Sequence, residues 1–263
     1  MKLHLALLLS TSLATAVSNA ADTQPHTLLQ ATGVLAQFAV LEEWVVSSSQ
    51  DHAKRCGSTP PLTTVPGFNA ESITFDAVNS LNRQSKLNKS AWEAVAIWFE
   101  SPLAIKIHKA EQTSIGSDAQ QYFADLRDDQ ITLQRLENIV VNTRTIDFIS
   151  IVGAETEYAG LLHSGCIAKA AHTADEQKNP EEVMAEIIRS DTTTAKMIEP
   201  DIILELGYLL RNLTEAELTA YESFTNSTAA KAFYTGVINS VTTSLQLASN
   251  RINLQHSSSK LNF

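Results

Sequence analysis

Basic side chains are scarce. Nineteen Lys and Arg stand against 29 Asp and Glu, a formal net charge of −10, which argues against nucleic acid and anionic membrane surfaces as partners, since both recruit clustered positive charge. Cysteine is scarcer still, at two residues, so a single intramolecular disulfide is the only connectivity open to it. Catalytic signatures are missing too. The chain has no His-Glu-x-x-His, no Gly-x-Ser-x-Gly elbow, no phosphate-cradling glycine loop and no dinucleotide fingerprint. Beyond the first twenty residues no apolar run approaches the roughly 20 residues that a membrane-spanning helix needs.

What is present begins with an export leader. Met1-Lys2-Leu3-His4 precedes an apolar run, Leu5 to Leu9, that continues through small residues to Val17. Ser18-Asn19-Ala20 then offers small residues where a signal peptidase reads, which makes residues 1–20 a signal peptide and directs the protein to the periplasm or outside the cell. Losing that leader removes one Lys and no acid, so the mature net charge moves from −10 to −11.

The mature chain carries helical periodicity nearly throughout, so the expected class is all-α, a helical bundle. A first helix is expected over 27–54, with Leu28, Leu35, Phe38, Leu41, Val45 and Val46 on one face. It should stop at Cys56-Gly57, where a Pro- and Gly-rich loop begins. Helices are expected over 71–86 and 88–100, and Ser101-Pro102 should restart the chain as N-cap and first helical residue. Residues 118–149 read as one long amphipathic helix that Asp128-Asp129-Gln130 could interrupt. A further apolar helix over 148–171 contains Gly153, Gly160 and Gly165, which would admit a close neighbour or kink it. Pro200 is expected to open a helix carrying Ile202, Leu206 and Leu209. The organisation expected is a helical half over 21–117, a second over 118–256, and a disordered tail over 257–263.

Two stretches echo each other. Leu213-Thr214-Glu215-Ala216-Glu217-Leu218 has a capping box, Thr214 with Glu217, inside a hydrophobic staple, Leu213 with Leu218. Leu87-Asn88 before Trp92 repeats the staple spacing, and a shift of 126 residues overlays 87–109 on 213–235 without a gap. Trp98 then falls on Phe224, Ser101 on Ser227 and Ile107 on Phe233, although only four of the 23 pairs are identical. An old duplication and two helical hairpins obeying the same packing rules both fit this pattern. The stretch Trp98-Phe99-Glu100-Ser101-Pro102-Leu103-Ala104-Ile105-Lys106 also resembles a bacterial family, the domain of unknown function numbered 2059. That family's motif ends Phe-Tyr-x-Ser-Pro-x-Gly-x-Lys; this chain keeps the aromatic pair, Ser-Pro and Lys but has Ala104 for Gly, and the second copy lacks the Pro. The resemblance implies a small exported helical module and supplies no active site.

Three groups of residues are candidates for chemistry. His52-x-x-x-Cys56 and His163-x-x-Cys166 place each His on the helix face of its Cys; together they could form a disulfide, Cys56 with Cys166, or alternatively a zinc site using all four side chains. Trp92, Trp98, Phe99 and Phe224 could line a ligand groove, with core packing as the plainer role. The acid pairs Glu42-Glu43, Glu155-x-Glu157, Asp175-Glu176 and Glu181-Glu182 are expected on solvated helix faces. The resulting expectation is a non-catalytic binding or interaction module, for an unknown protein or small apolar ligand, with a metal-binding protein as the alternative. Cleavage after Ala20 or Ala21 gives a mature protein starting at Ala21 or Asp22; terminal sequencing of exported protein checks this, and an intact Met1 would overturn it.

Overall fold

The computed structural model describes residues 25–58, 64–65, 67–86, 88–167, 172–173, 176–177 and 180–259. Among them are eleven helices: α1 (Pro25–Ala31), α2 (Val34–Cys56), α3 (Ala70–Ser85), α4 (Lys89–Phe99), α5 (Pro102–Glu111), α6 (Ala119–Asp128), α7 (Gln130–Asn142), α8 (Thr145–His163), α9 (Pro180–Leu210), α10 (Glu215–Asn226) and α11 (Thr228–Ser259). A two-residue antiparallel ladder, His172–Thr173 with Glu176–Gln177, is the one extended element described. The protein is an all-α helical bundle. Residues 1–20, expected to be a signal peptide, and most of the Pro-rich loop after Ser58 lie outside the described residues.

Several expected helices are divided. The first breaks at Gly33, whose φ of 74° is open to glycine at little cost, giving α1 and α2. The long helix expected over 118–149 breaks twice. Asp129 leaves the helical region (φ −93°, ψ 79°) and its carboxylate caps α7 by accepting from Thr132 N at 3.1 Å. Arg144 adopts φ 57° between α7 and α8, the only positive φ at a non-glycine among the described residues. The Gly-rich helix stops at His163, because Gly165 turns the chain with φ 67°. Pro200 does not start a helix; it lies inside α9, which already began at Pro180. A proline is tolerated there because it costs one backbone bond while the flanking turns persist. At the other end α11 continues to Ser259, into the stretch expected to be a disordered tail.

The helices pack as two units, and neither follows the sequence division at 117/118. One is drawn from the stretches up to Ala36, Asn82–Ile146 and Met197–Val237, the other from Gln37–Leu81, Asp147–Lys196 and Ile238 onwards. In the first, Leu136, Ile139, Leu126, Leu204, Leu210, Ile107 and Tyr221 form one buried cluster. Gly207 sits where a Cβ would meet Leu136 at 2.9 Å, so α9 lies close against α6 and α7. Arg135 of α7 binds Glu215, Thr219 and Glu222 along α10. In the second unit Phe38, Leu41 and Val45 of α2 and Ile73, Ala77 and Leu81 of α3 are fully buried. Each of the larger side chains removed from water in this way stabilises by about 1.5–3 kcal/mol.

The echoed stretches adopt the same local structure, both within the first unit. Ser101 and Ser227 have nearly identical backbones (φ −70°, ψ 149° and φ −65°, ψ 150°). Each caps the helix it precedes, Ser101 Oγ accepting from Ala104 N at 3.2 Å and Ser227 Oγ from Ala230 N at 3.1 Å. Trp98 stacks on Phe224, its counterpart under the 126-residue shift, with ring centroids 4.2 Å apart and planes 8° apart. The capping box forms as the sequence implies: Thr214 Oγ1 accepts from Glu217 N at 3.3 Å, and Glu217 accepts from Thr214 N at 2.7 Å. The same carboxylate binds Lys106 Nζ of α5 at 2.7 and 2.8 Å.

Thr214→Ala removes one half of that box and should destabilise the protein by about 1 kcal/mol, which for a chain of this size lowers the melting temperature by roughly 2–4 °C. Thermal melts monitored by circular dichroism check this, and an unchanged midpoint would show that the cap does not hold α10.

Candidate functional site

The cysteine–histidine constellation lies in the second unit, where α2 ends and α8 gives way to the turn at Gly165. Cys56 and Cys166 lie at disulfide distance, with Cα atoms 6.2 Å apart, inside the range a bridge requires. Local bonds set the second cysteine: Ser164 Oγ donates to Leu161 O at 2.8 Å and accepts from Cys166 N at 3.2 Å. Leu161, Val183 and Ile187 pack around the bridge.

The bridge takes both sulfurs, so the four-ligand zinc set of His52, Cys56, His163 and Cys166 has no thiolate to offer in this state. His52 is committed elsewhere. Its Nε2 lies 2.8 Å from Glu157 Oε1 of α8, and Ser48 Oγ donates to the other oxygen, Oε2, at 2.7 Å. His163 is buried at the end of α8 and is held by interactions of its own. Among the described residues no three His, Cys, Asp or Glu side chains are grouped to hold a metal ion.

Glu157, which the sequence assigns to a solvated face, sits beside a second carboxylate, that of Asp191. The His52 hydrogen bond, with help from Ser48, holds its carboxyl below the ordinary range against the opposing effect of burial. Asp191 of α9 is pushed up to about 6 by burial and by the Glu157 charge. Glu155, 3% exposed, is pushed up to about 7 by burial, which the neighbouring Gln246 and Ser249 oppose only in part. Glycines make the approach of Ser48 and Asp191 possible. A Cβ at Gly160 would collide with Ser48, and one at Gly153 would lie 3.0 Å from Asp191 Oδ1, so both α2 and α9 approach α8 over bare backbone. Of the other acid pairs, Glu42 ties the loop by accepting from Val65 N at 3.3 Å, while Glu181 and Glu182 are exposed.

The four aromatic candidates come together in the first unit. Besides the Trp98–Phe224 stack, Trp92 meets Phe233 edge-on at 5.2 Å, and Phe99 meets Phe224 at 6.2 Å and Phe233 at 5.6 Å. Trp92 is buried, whereas Trp98, Phe99 and Phe224 each keep part of their surface exposed. Sequence reasoning missed Tyr221, which stacks beside Trp98 at 6.4 Å, and Tyr234, edge-on to Phe233 at 5.2 Å. The missed signal was their spacing around the second Ser cap. Near them Glu111, the last residue of α5, is pushed up to about 7 by burial.

Raised carboxyl pKa values set the pH dependence. Glu111, Glu155 and Asp191 hold protons in the folded state that the unfolded chain releases, so stability rises as pH falls from 8 towards 5. Glu157 and Glu217, the latter near 2, act in the opposite sense: their contribution is present above their unfolded pKa and is lost as pH falls through the folded value. The melting temperature should therefore peak near pH 5 and fall towards both pH 3 and pH 8, and Glu155→Gln should flatten the alkaline limb. A midpoint that climbs steadily from pH 5 to 8 would contradict these assignments.

No protein-family model, no curated protein and no solved structure matches the chain.

Proposed function

We propose that the protein is an exported, periplasmic helical module that binds a partner protein or a small apolar ligand and performs no catalysis. The observation that carries the binding role is the aromatic assembly of the first unit. Trp98, Phe99 and Phe224 stack on one another yet stay partly exposed, and large aromatic faces left at a surface are what apolar ligands and protein partners bury. Their geometry, with equivalent Ser caps at equivalent distances, supports an internal duplication of the module that the resemblance to the domain of unknown function 2059 implies.

The compartment is supported by the cysteines. A pair at disulfide distance suits an oxidising environment such as the periplasm or cell exterior. The bridge closes a loop of sequence separation 110, for which the chain-entropy account gives roughly 4–5 kcal/mol. A zinc-binding role for His52, Cys56, His163 and Cys166 would require that bridge to be reduced and His52 to leave Glu157.

Produced with its own leader in a Gram-negative host, the protein should appear in the osmotic-shock fraction, without its leader and with no free thiol until reductant is added. Native mass spectrometry of that fraction should retain a bound protein or organic molecule. Two free thiols together with one zinc equivalent removable by a chelator would replace this function with the metal-binding one.

A further inference from the structure

The two sulfurs of the second unit are not equally placed. Cys166 is 2% exposed, whereas Cys56 keeps part of its surface in solvent at the end of α2, between exposed Arg55 and exposed Gly57. A Cβ added at Gly57 would meet no atom of the described residues within 4 Å, so the turn beside Cys56 leaves that side open. Each sulfur also has oxygens within reach to which it could donate only as a thiol. Cys56 Sγ lies 3.1 Å from Ser58 Oγ and 3.7 Å from Ala53 O, and Cys166 Sγ lies 3.4 Å from His52 O and 3.6 Å from Ser164 O. A disulfide has no proton to give and a thiol has one, so the groups around the bridge already satisfy the two thiols that reduction would make. Ser58 Oγ is also 3.4 Å from Cys166 Sγ and therefore touches both sulfurs.

We propose that Cys56 is a site of thiol–disulfide exchange, at which a dithiol from outside the protein opens the bridge reversibly while Ser58 holds the departing Cys166 sulfur. One thiolate of the dithiol attacks Cys56 Sγ; the S–S bond breaks and its electron pair leaves on Cys166 Sγ. The Ser58 hydroxyl donates to that thiolate until it takes a proton from solvent, which offsets the cost of placing negative charge on an almost fully buried sulfur. The second thiol of the reductant, deprotonated in turn, then attacks the mixed disulfide, closing a bond within the reductant and releasing Cys56 as a thiolate that water protonates. The dithiol is oxidised by two electrons, and the protons it gives up are balanced by those taken up at Cys56 and Cys166. A small disulfide runs the sequence backwards. Burial shields Cys166 from attack, while Arg55 beside Cys56 favours the approach of an anionic thiolate. This exchange belongs to the second unit and does not depend on the binding role of the first.

The test uses the mature full-length protein in its oxidised form, without denaturant. Treated with millimolar reduced dithiothreitol and then N-ethylmaleimide, it should gain a label on each of its two cysteines by intact mass. Before labelling, the reduced protein should keep its helical circular dichroism, melt below the oxidised protein, and recover the bridge with oxidised glutathione. With reduced glutathione and an acid quench, peptide masses should place the mixed disulfide on Cys56, with about ten-fold less on Cys166, in line with their difference in access. Ser58→Ala should slow opening by dithiothreitol several-fold, and Ser58→Thr, which keeps the hydroxyl, should restore the rate whatever either change does to the melting temperature. Opening only in denaturant, loss of helix on reduction, glutathione on Cys166 at the level of Cys56, or an unchanged rate in Ser58→Ala would each overturn the proposal.

Discussion

Trp98 stacked on Phe224 organises the first unit, because each ring meets the position equivalent to its own. A contact between equivalent positions is self-complementary, the relation that subunits of a two-fold dimer have to one another. Here it joins α4 and α5 to α10 and the start of α11 within one chain. A second apolar contact fits the same relation: Trp92 packs on Phe233, and their counterparts Leu218 and Ile107 belong to one cluster. Polar contacts depart from it. Lys106 binds Glu217, while the counterparts of that pair are Ala232 and Ala91, so apolar packing keeps the symmetry and ion pairing breaks it.

The second unit is built on a different constraint, the approach of helices over glycine. Bare backbone at Gly153 and Gly160 lets Asp191 and Ser48 reach α8 on either side of Glu157. Glu157 and Asp191 would repel if both were charged. The structure resolves this by giving Glu157 the His52 partner and leaving Asp191 with raised affinity for protons. The charges of this pair are thus set by its neighbours.

Features set by a few adjacent residues were legible in the sequence. Thr214 and Glu217 cap as their spacing implies, Ser101-Pro102 restarts a helix, and the two cysteines pair. What the sequence could not show depends on remote partners. Glu155 and Glu157 look like any solvated acid pair until Gln246, His52 and Ser48 are placed around them. Pro200 reads as a helix start because the preceding turns, rich in threonine, are weak helix formers; in the fold the hydroxyls of Thr192, Thr193 and Thr194 bond back to carbonyls one turn earlier and the helix runs through. The break at Asp129 was signalled by Asp128-Asp129-Gln130, whereas the one at Arg144 was hidden because apolar spacing continues across it. The aromatic candidates were legible as a group, but their stacking on counterparts was not, since periodicity says which face is apolar and not what it meets.

The Cys56–Cys166 bridge also has a mechanical meaning. Force applied at the chain ends would pass through the bridge, leaving the 110 residues of separation it spans, α3 to α8 included, without tension. At about 3.3–3.6 Å per extended residue, roughly 360–400 Å of chain is kept out of reach of stretching for as long as the two sulfurs stay joined.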